Sequence, residues 1–298
     1  MRTTSLESPT VSKVWLLLLI AAPLGADEWL RFRGPNGAGA ADGSVVEAPS
    51  IENNLLWKTE LPPGHSSPVL TEEQIFVTAH QDERIYTIAL DRETGRIQWR
   101  REAPRPRRSQ LEDKNDPVSP TPVSDGENVY VFFCDYGVFS YGPDGAERWR
   151  APLGPFVNIR GMAASPVYAD GKLLMLCDHD GGDSFLLALD AETGEEVWRA
   201  DRSEFRRSFS TPAIHRPAEG PAEVITPGSF ALVSYSLETG DELWRVGGLC
   251  WQPKAVPLLS DTHVYLNCQG AGTDPKAGSY PDFAAALRQM DADSSGWL

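Results

Sequence analysis

The chain has 298 residues, of which 41% are hydrophobic, and its formal net charge is −15 from 27 Lys and Arg against 42 Asp and Glu. This length suffices for one large all-β domain or for two ordinary domains. The negative charge repels phosphate backbones and therefore excludes nucleic acid as a partner, whereas small cations are more natural charged ligands.

The first 26 residues have the features of an export signal. Arg2 and Lys13 supply a basic start, the apolar run VWLLLLI occupies 14–20, and Ala26 offers a small residue for cleavage. The run is too short to span a bilayer comfortably. We therefore predict a signal peptide over residues 1–26, a periplasmic or secreted protein, and membrane contact only through this segment. An uncleaved tether is the alternative.

A phrase ending in G-x-x-x-W recurs along the chain at a nearly constant period. Its tryptophans lie 50, 49 and 46 residues apart and are Trp99, Trp149, Trp198 and Trp244. Each copy follows short runs rich in Val, Ile, Tyr and Phe that are bounded by turn residues, and each unit starts with a Ser-Pro-like element such as SPV at 67–69. Short strands in units of this length are typical of β-propeller blades, since solenoid repeats are usually shorter.

The turn before each tryptophan has a clear local mechanism. Asp91 and Asp190 can accept hydrogen bonds from backbone N–H groups two or three residues ahead, and Gly95 and Gly194 supply the positive φ of a tight hairpin. The tryptophan then follows at a fixed offset, so its ring leaves every unit on the same face.

Two copies carry a more specific pattern, A-x-D-x-x-T-G-x-x-x-W, at 89–99 and 188–198. It resembles the tryptophan-docking motif of the pyrroloquinoline-quinone (PQQ)-type propellers, and the similarity covers roughly residues 55–270. The resemblance implies an all-β, PQQ-like β-propeller in which each tryptophan packs on the next blade, so the phrase is structural. Such rings have about seven or eight blades, whereas four complete units and a fifth beginning near Ala255 occur here. We therefore expect an incomplete ring of about four to five blades, with the blades over residues 65–275.

Residues 27–64 precede the first unit and are predicted to enter and close the ring. The stretch NNLLWKTEL at 53–61 looks like the last strand of a blade, because Trp57 is followed by a basic residue as the repeat tryptophans are. The stretch WLRFRGPNGAG at 29–39 resembles the start of a group of exported bacterial quinoprotein-like propellers. We expect it to cover the propeller, and a binding loop built on Arg31 and Arg33 is the alternative.

The cysteines are Cys134, Cys177, Cys250 and Cys268, and each stands singly. Export would permit disulfides, but the spacing does not demand them. We interpret all four as buried free thiols. Cys134 and Cys177 each follow an apolar run and precede an aspartate, as if at equivalent strand ends.

No catalytic residue is assigned. Quinoprotein dehydrogenases that resemble this repeat use a calcium ion, an acidic base, a stacking tryptophan and often a disulfide between adjacent cysteines, and adjacent cysteines do not occur here. G-x-S-x-G, P-loop and HExxH motifs are also missing. His65 and Ser66 are neighbours on an extended chain and point to opposite faces. We assign no cofactor-binding residue and expect that PQQ does not bind.

Two polar segments are candidate binding loops. CDHDGGD at 177–183 could supply oxygen atoms from Asp178, Asp180 and Asp183, together with His179, to a hard cation. We expect a hairpin tip with its charges in water instead. The segment 100–116 carries Arg100, Arg101, Arg105, Arg107 and Arg108. We expect a solvated loop there, with an acidic ligand, a glycan carboxylate or a neighbouring acidic blade as the alternatives.

Residues 280–298 depart from the β-pattern. Phe283, Leu287 and Met290 have helical spacing. They precede a stretch that resembles the first two-thirds of an EF-hand calcium loop, with ligands expected from Asp291, Asp293, Ser295 and the Trp297 carbonyl. The sequence stops at loop position 8, before the acidic residue expected at position 12. We expect weak calcium binding or none.

These features predict an exported β-propeller that binds a protein or glycan on one face and acts as a scaffold. The propeller of the outer-membrane barrel-assembly machinery resembles it in repeat type and is a precedent for that role. The alternative is a PQQ-dependent quinoprotein dehydrogenase, oxidising an alcohol or sugar, whose cofactor residues lie partly beyond Leu298.

Overall fold

The computed structural model describes residues 28–41, 50–112 and 115–268. Within these ranges the chain forms eighteen strands, one short helix, α1 (Ile51–Asn54), and one 3₁₀ turn (Pro35–Gly37). No helix of the described ranges is long and apolar enough to cross a membrane. The predictions of a signal peptide over 1–26, and of a helix and calcium loop over 280–298, fall outside them.

Sixteen strands form four antiparallel sheets of four consecutive strands each, which we call blades 1 to 4. Blade 1 contains β1 (Val69–Leu70), β2 (Gln74–Gln81), β3 (Arg84–Asp91) and β4 (Ile97–Ala103). Blade 2 contains β5 (Val123–Ser124), β6 (Val129–Phe133), β7 (Gly137–Tyr141) and β8 (Glu147–Pro152). Blade 3 contains β9 (Val167–Ala169), β10 (Lys172–Cys177), β11 (Phe185–Asp190) and β12 (Glu196–Asp201). Blade 4 contains β13 (Ala213–His215), β14 (Glu223–Gly228), β15 (Ala231–Ser236) and β16 (Glu242–Gly247), and a two-stranded sheet of β17 (Leu258–Leu259) and β18 (Val264–Tyr265) follows. The predicted all-β blade architecture, with four units and the start of a fifth, is confirmed.

Connections alternate between two sides of this assembly because neighbouring strands are antiparallel. We call the side with the first-to-second and third-to-fourth turns of each blade the turn face. The opposite side, with the second-to-third loops and the inter-blade connections, is the loop face. The inter-blade connections span 104–122, 153–166, 202–212 and 248–257. Binding residues tend to lie on long connections that a rigid scaffold positions, so we expect a binding site on the loop face.

Three of the four buried apolar clusters of the described residues lie between blades, and the fourth lies on blade 1. Phe76 of blade 1 and Phe139 of blade 2 share one buried cluster, and Leu186 of blade 3 and Val233 of blade 4 share another. A third cluster joins blades 2 and 3 in the same way. Each of the three inter-blade cores therefore needs both neighbouring blades, because a single four-stranded blade cannot bury its two apolar faces alone.

The repeat tryptophans reinforce these cores from the outer strands. Each indole N–H crosses to the third-to-fourth turn of the following blade and donates to a backbone carbonyl there. The bonds run from Trp99 to Pro143 (2.8 Å), from Trp149 to Ala191 (3.0 Å) and from Trp198 to Leu237 (3.1 Å). The contacts implied by the docking motif are therefore present between all three pairs of adjacent blades.

A glycine lies directly beneath each docked ring. Gly194 has φ 76°, and a Cβ atom on it would lie only 2.5 Å from a ring atom of Trp149. Asp190 holds this turn by accepting a hydrogen bond from the Thr193 amide (2.8 Å), which confirms the predicted Asx-type turn. The glycine is thus required twice, for its positive φ and for the ring that covers it.

The Ser/Thr-Pro elements form a second inter-blade connection around the inner strands. In each link, a backbone N–H donates to the hydroxyl group of the equivalent residue one blade further along. The links run from Ser67 to Thr121 (3.0 Å), from Thr121 to Ser165 (3.0 Å) and from Ser165 to Thr211 (3.1 Å). The equivalent position in the fifth unit is Val256, which has no hydroxyl group, and Ser210 instead donates to the Ala255 carbonyl (2.6 Å).

The two outermost repeat tryptophans have different partners. Trp57 docks on blade 1 as the others dock, donating to the Arg92 carbonyl (3.1 Å), with its ring over Gly95. Its segment pairs as a strand with no described residue, so the ring-closing strand at 53–61 stays a prediction. Trp244 donates to the Glu223 carboxylate of its own blade (2.9 Å).

Residues 29–39, which we call the channel cover, cross the inner strands. Trp29 forms an antiparallel bridge with Leu70 of blade 1, and the Ser124 amide of blade 2 donates to the Leu30 carbonyl (2.8 Å). Asn36 exchanges two hydrogen bonds with the backbone of Ile214 in blade 4 (2.7 and 2.8 Å). Contacts with three blades give this segment the covering position expected from the sequence.

The interpretation of all four cysteines as free thiols is wrong for one pair. Cys134 and Cys177 are free and buried, at the equivalent ends of β6 and β10. Cys250 and Cys268 form a disulfide with a Cα–Cα distance of 5.6 Å. The sequence could not show this, because the fold, not the spacing, brings the 248–257 connection next to the chain after β18.

We expect Gly194→Ala to destabilise the protein by about 1–2 kcal/mol for the left-handed backbone and by a further 1–3 kcal/mol or so for the clash with Trp149. Gly171→Ala is the matched control, because Gly171 has φ 73° and open space where the Cβ would lie. Urea unfolding measures both. Equal losses would show that the docked ring contributes no steric requirement.

Candidate functional site: the loop face of blades 2 and 3

The loop of 178–184, between β10 and β11, is built on a buried ion pair. Asp178 and Arg202 are fully buried and share two hydrogen bonds of 2.8 and 2.7 Å. Arg202 also donates to the Tyr235 hydroxyl of blade 4 (2.8 Å). Burial by itself would lower the pKa of Arg202, but attraction to Asp178 outweighs it and raises that pKa. The pair therefore ties the loop of blade 3 to blade 4.

The remaining polar residues of this loop are also engaged. His179 is buried, accepts a hydrogen bond from the Gly181 amide (3.1 Å) and lies 3.3 Å from the exposed Asp183. Asp180 lies 2.5 Å from Arg207 of the next connection. The expectation of a hairpin tip with its charges in water is therefore wrong for Asp178, His179 and Asp180. No group of three or more His, Cys, Asp or Glu within the described ranges could hold a metal ion.

The arginine-rich segment packs against its neighbours. Arg105 pairs with the buried Asp135 of blade 2 (2.7 Å) and with Glu83 of blade 1 (3.2 Å), and Arg107 donates to the Cys134 and Leu153 carbonyls. Three further arginines also bind within blades 1 and 2: Arg100 lies 3.5 Å from the ring centroid of Tyr86, Arg101 donates to the Gly145 carbonyl (2.6 Å), and Arg108 pairs with Glu83 (3.0 Å). The solvated-loop expectation is wrong for Arg105 and Arg107, whereas Arg100 and Arg108 are exposed. The alternative of an acidic partner on a neighbouring blade holds for Arg105 and Arg108, which pair with Asp135 and Glu83.

Blades 2 and 3 use the same device at the same strand end. In each, a buried cysteine is followed by a buried aspartate that binds an arginine of an inter-blade connection: Cys134-Asp135 in blade 2 and Cys177-Asp178 in blade 3. Burial raises the pKa of the Cys134 thiol to about 11. For Asp135, burial would raise the pKa, but hydrogen bonds from Arg105 and from Ser109 outweigh it and lower that pKa. The two carboxylates therefore hold the loops in position.

A groove of about 220 Å³, which we call the loop-face groove, lies between the 104–122 and 153–166 connections. One wall is residues 107–110 and the other is residues 155–159. Val157 and Ile159 stand 55% and 46% exposed on the second wall, and Arg108 is exposed on the first. The groove thus combines exposed apolar side chains with a cationic edge.

The His65-Ser66 pair has separate partners. Ser66 Oγ accepts a hydrogen bond from the Thr78 amide (3.0 Å), and His65 Nδ1 lies 3.4 Å from Asp116. The fold thus does not join these two side chains as a nucleophile and base. The metal ligands predicted at Asp291, Asp293, Ser295 and Trp297 lie outside the described residues.

Sequence reasoning missed Arg202, Tyr235, Val157 and Ile159 as parts of this face. The repeated Cys-Asp pair was visible and could have indicated buried carboxylates that need cationic partners. Nothing local to Val157 or Ile159 distinguishes an exposed apolar residue from a core residue, because both lie in a connection without periodicity.

We expect Asp178→Asn to destabilise the protein by about 3–5 kcal/mol, because it leaves the buried guanidinium of Arg202 without a counter-ion. Asp170→Asn is the control, since Asp170 pairs with Arg216 at 52% and 54% side-chain exposure, and exposed pairs contribute about 0–1 kcal/mol. Urea unfolding compares the two variants. A loss of less than about 1 kcal/mol for Asp178→Asn would contradict the ion-pair anchor.

Comparison with known proteins agrees with this architecture. The family model described as "Outer membrane protein assembly factor BamB" (PQQ_2) matches residues 38–155 and 88–247. A curated relative, the outer membrane protein assembly factor BamB of Burkholderia pseudomallei (strain K96243), is 25% identical over 202 residues, which cover 66% of this chain and 46% of that protein. The chain thus spans about half the length of this relative.

Two solved structures share the fold at low sequence identity. The quinohemoprotein alcohol dehydrogenase of Comamonas testosteroni has a TM-score of 0.55 at 14% identity, covering 80% of this chain and 44% of that one. The quinohemoprotein alcohol dehydrogenase ADHIIG of Pseudomonas putida HK5 has a TM-score of 0.52 at 16% identity, covering 74% and 40%. These likenesses show the fold alone. The family model, which matches residues 38–155 and 88–247, shows that the chain belongs to the PQQ-like β-propeller repeat family whose model is described as outer membrane protein assembly factor BamB.

Proposed function

We propose that this chain is an exported β-propeller scaffold that binds a protein partner in the loop-face groove. The observation that carries the proposal is the pair of exposed apolar side chains, Val157 and Ile159, beside Arg107 and Arg108. Single exposed apolar residues are ordinary, but apolar side chains grouped along a groove with a polar edge are typical of protein-binding surfaces.

The loop that carries Val157 and Ile159 is fixed by hydrogen bonds and by a ring contact. The Val157 carbonyl accepts the Asp180 amide (2.6 Å), the buried Asn158 accepts the Arg160 amide (3.1 Å), and the buried Phe156 packs edge-on against His179 (5.4 Å). A loop fixed in this way loses little conformational freedom on binding, so exposed side chains at its tip can contribute more of their contact energy to affinity.

The cationic edge favours a partner segment that carries an acidic residue next to an apolar one. Arg107 uses Nη2 on two carbonyl groups, and Arg108 pairs with Glu83, whose side chain is 77% exposed. Pairs of this kind are screened by water and exchange partners readily. A protein segment can satisfy both walls at once, which favours a protein over a glycan.

The name of the curated relative supports a scaffold role, since that protein is described as an assembly factor. Export and a periplasmic or secreted location belong to the same proposal and rest on the segment 1–26. Calcium binding through Asp291, Asp293, Ser295 and Trp297 remains a further prediction within it.

A quinoprotein dehydrogenase is the second candidate, favoured by the fold of the solved structures that share it. The carboxylates at the strand ends of the loop face, Asp135 and Asp178, do not fit a site for PQQ and a calcium ion. Both oxygens of Asp135 and of Asp178 accept hydrogen bonds from protein donors, and within the described ranges no cluster could hold a metal. We therefore derive no catalytic step for this chain.

We expect the double variant Val157→Glu/Ile159→Glu to weaken partner binding at least tenfold, or by about 1.4 kcal/mol or more, because it places carboxylates on the apolar wall. A photo-crosslinking amino acid at 159, introduced in the cells that make the protein, identifies the partner, and affinity is then measured with the purified pair. Val197→Glu is the control, since Val197 is 46% exposed on the outer strand of blade 3. Equal affinities for the double variant and this control would exclude the groove as the binding surface.

The dehydrogenase alternative has a separate test. Calorimetric titration with PQQ in the presence of Ca²⁺, followed by an assay of dye-linked alcohol oxidation, is expected to show neither binding nor turnover. Quinone binding together with alcohol oxidation would replace the scaffold proposal.

A further inference from the structure

A second cavity lies at the opposite side of the molecule from the loop-face groove. It has a volume of about 340 Å³ and lies between the channel cover and the inner strands of blades 2 and 3. Leu30 and Pro35 of the cover, with Val123 and Tyr168 of the strands, give it mainly apolar walls. Its volume is at the lower end of the range for small-molecule pockets, about 300–1,000 Å³.

Arg31 lines this cavity and is 7% exposed. Among the described residues, no carboxylate lies within ion-pairing distance of its guanidinium, and its Nε is buried without a hydrogen-bond partner. The hydrogen bond of its guanidinium to a described residue goes from Nη2 to the Pro212 carbonyl (2.5 Å). Of the five N–H donors of a guanidinium group, one on Nη2 has a described protein acceptor, and the buried Nε–H has none.

Arg202 shows how the same chain treats a buried arginine when the fold completes the site. Arg202 is fully buried and has a bidentate partner in Asp178 and a third bond to Tyr235. Arg31 has neither kind of partner within the described ranges, and burial lowers its pKa to about 10. A buried charge is normally paired because its desolvation is costly, so the environment of Arg31 is incomplete without an anion.

We propose that this cavity binds a small monocarboxylate with an apolar or aromatic body, with the carboxylate on Arg31. The planar guanidinium suits a carboxylate, which can accept two parallel N–H bonds. Tyr168 is half-buried, its ring is stacked on Tyr130 at 6.1 Å, and no described residue hydrogen-bonds its hydroxyl group. The ring therefore provides a flat wall for the body of the ligand.

Glu28 limits the charge of the anion that this cavity can bind. It is exposed and also lines the cavity, so it would repel a second negative charge on the ligand. A monocarboxylate is therefore favoured over a dicarboxylate or phosphate. The carboxylate could belong to a free acid or to the C-terminus of a peptide that ends in an apolar residue, since both present the same chemistry.

The test uses the full chain and calorimetric titration with benzoate and its neutral analogue benzamide. We expect benzoate to bind at least tenfold more tightly, because only its carboxylate can neutralise Arg31. Succinate and inorganic phosphate are expected to bind more weakly than benzoate. Equal binding of benzoate and benzamide, or no benzoate binding, would overturn the proposal without any mutation being needed.

Variants then locate the site. Arg31→Gln is expected to abolish the preference for benzoate over benzamide, and Arg33→Gln, in the same segment but on an exposed residue, to retain it. Thermal unfolding of each variant shows whether it is folded. A folded Arg31→Gln that keeps the preference would place the carboxylate elsewhere and overturn the assignment.

N-acetylglycyl-phenylalanine and its C-terminal amide distinguish the two sources. Tighter binding of the peptide acid than of benzoate identifies a peptide C-terminus, and weaker binding identifies a free acid. Either result supports a carboxylate site provided that the peptide amide binds at least tenfold more weakly than the peptide acid. These outcomes do not depend on the loop-face groove, so either proposal can fail alone.

Discussion

The structure depends on a tryptophan ring lying over a positive-φ glycine of the next blade. The ring supplies apolar area, its N–H satisfies a turn carbonyl, and the glycine allows the two to approach. The Ser/Thr hydroxyl links form a second set of contacts near the inner strands. Adjacent blades are therefore joined at both the inner and the outer edges of their sheets. With the blades held in this way, the long connections on the loop face have a rigid base.

The rigid blades provide fixed strand ends to which the charged loops bind. Asp135 and Asp178 emerge from equivalent strand ends, where burial obliges each to take an arginine partner. Their partners lie on the inter-blade connections, so each buried pair fixes a loop that would otherwise lie in solvent. The loop that begins at Asp178 in turn holds one wall of the loop-face groove, because its Asp180 amide donates to the Val157 carbonyl. The exposed side chains of that wall are therefore presented on a fixed frame, as a pre-formed binding surface requires.

The blades were predictable from the sequence because their determinants are local: a period, a turn aspartate, a glycine and a tryptophan at fixed offsets. The polar loops were not, since Asp178 meets Arg202 across 24 residues and Arg105 meets Asp135 across 30. The sequence of a polar segment does not show whether its side chains bind water or an arginine that is distant in the chain. The Cys250–Cys268 bond, and the lack of a described partner for Arg31 Nε, depend on the same long-range geometry.

The buried clusters have a consequence for how such chains change over time. Among the described residues, three of the four buried clusters draw their side chains from two neighbouring blades, the fourth lies within blade 1, and none is shared by all four blades. The stability of the chain is therefore approximately the sum of the stabilities of its blades and of the contacts between neighbouring blades. A duplicated or deleted unit creates one more or one fewer junction of a kind that already exists. Blade number can thus drift between relatives while the chemistry of every junction is preserved.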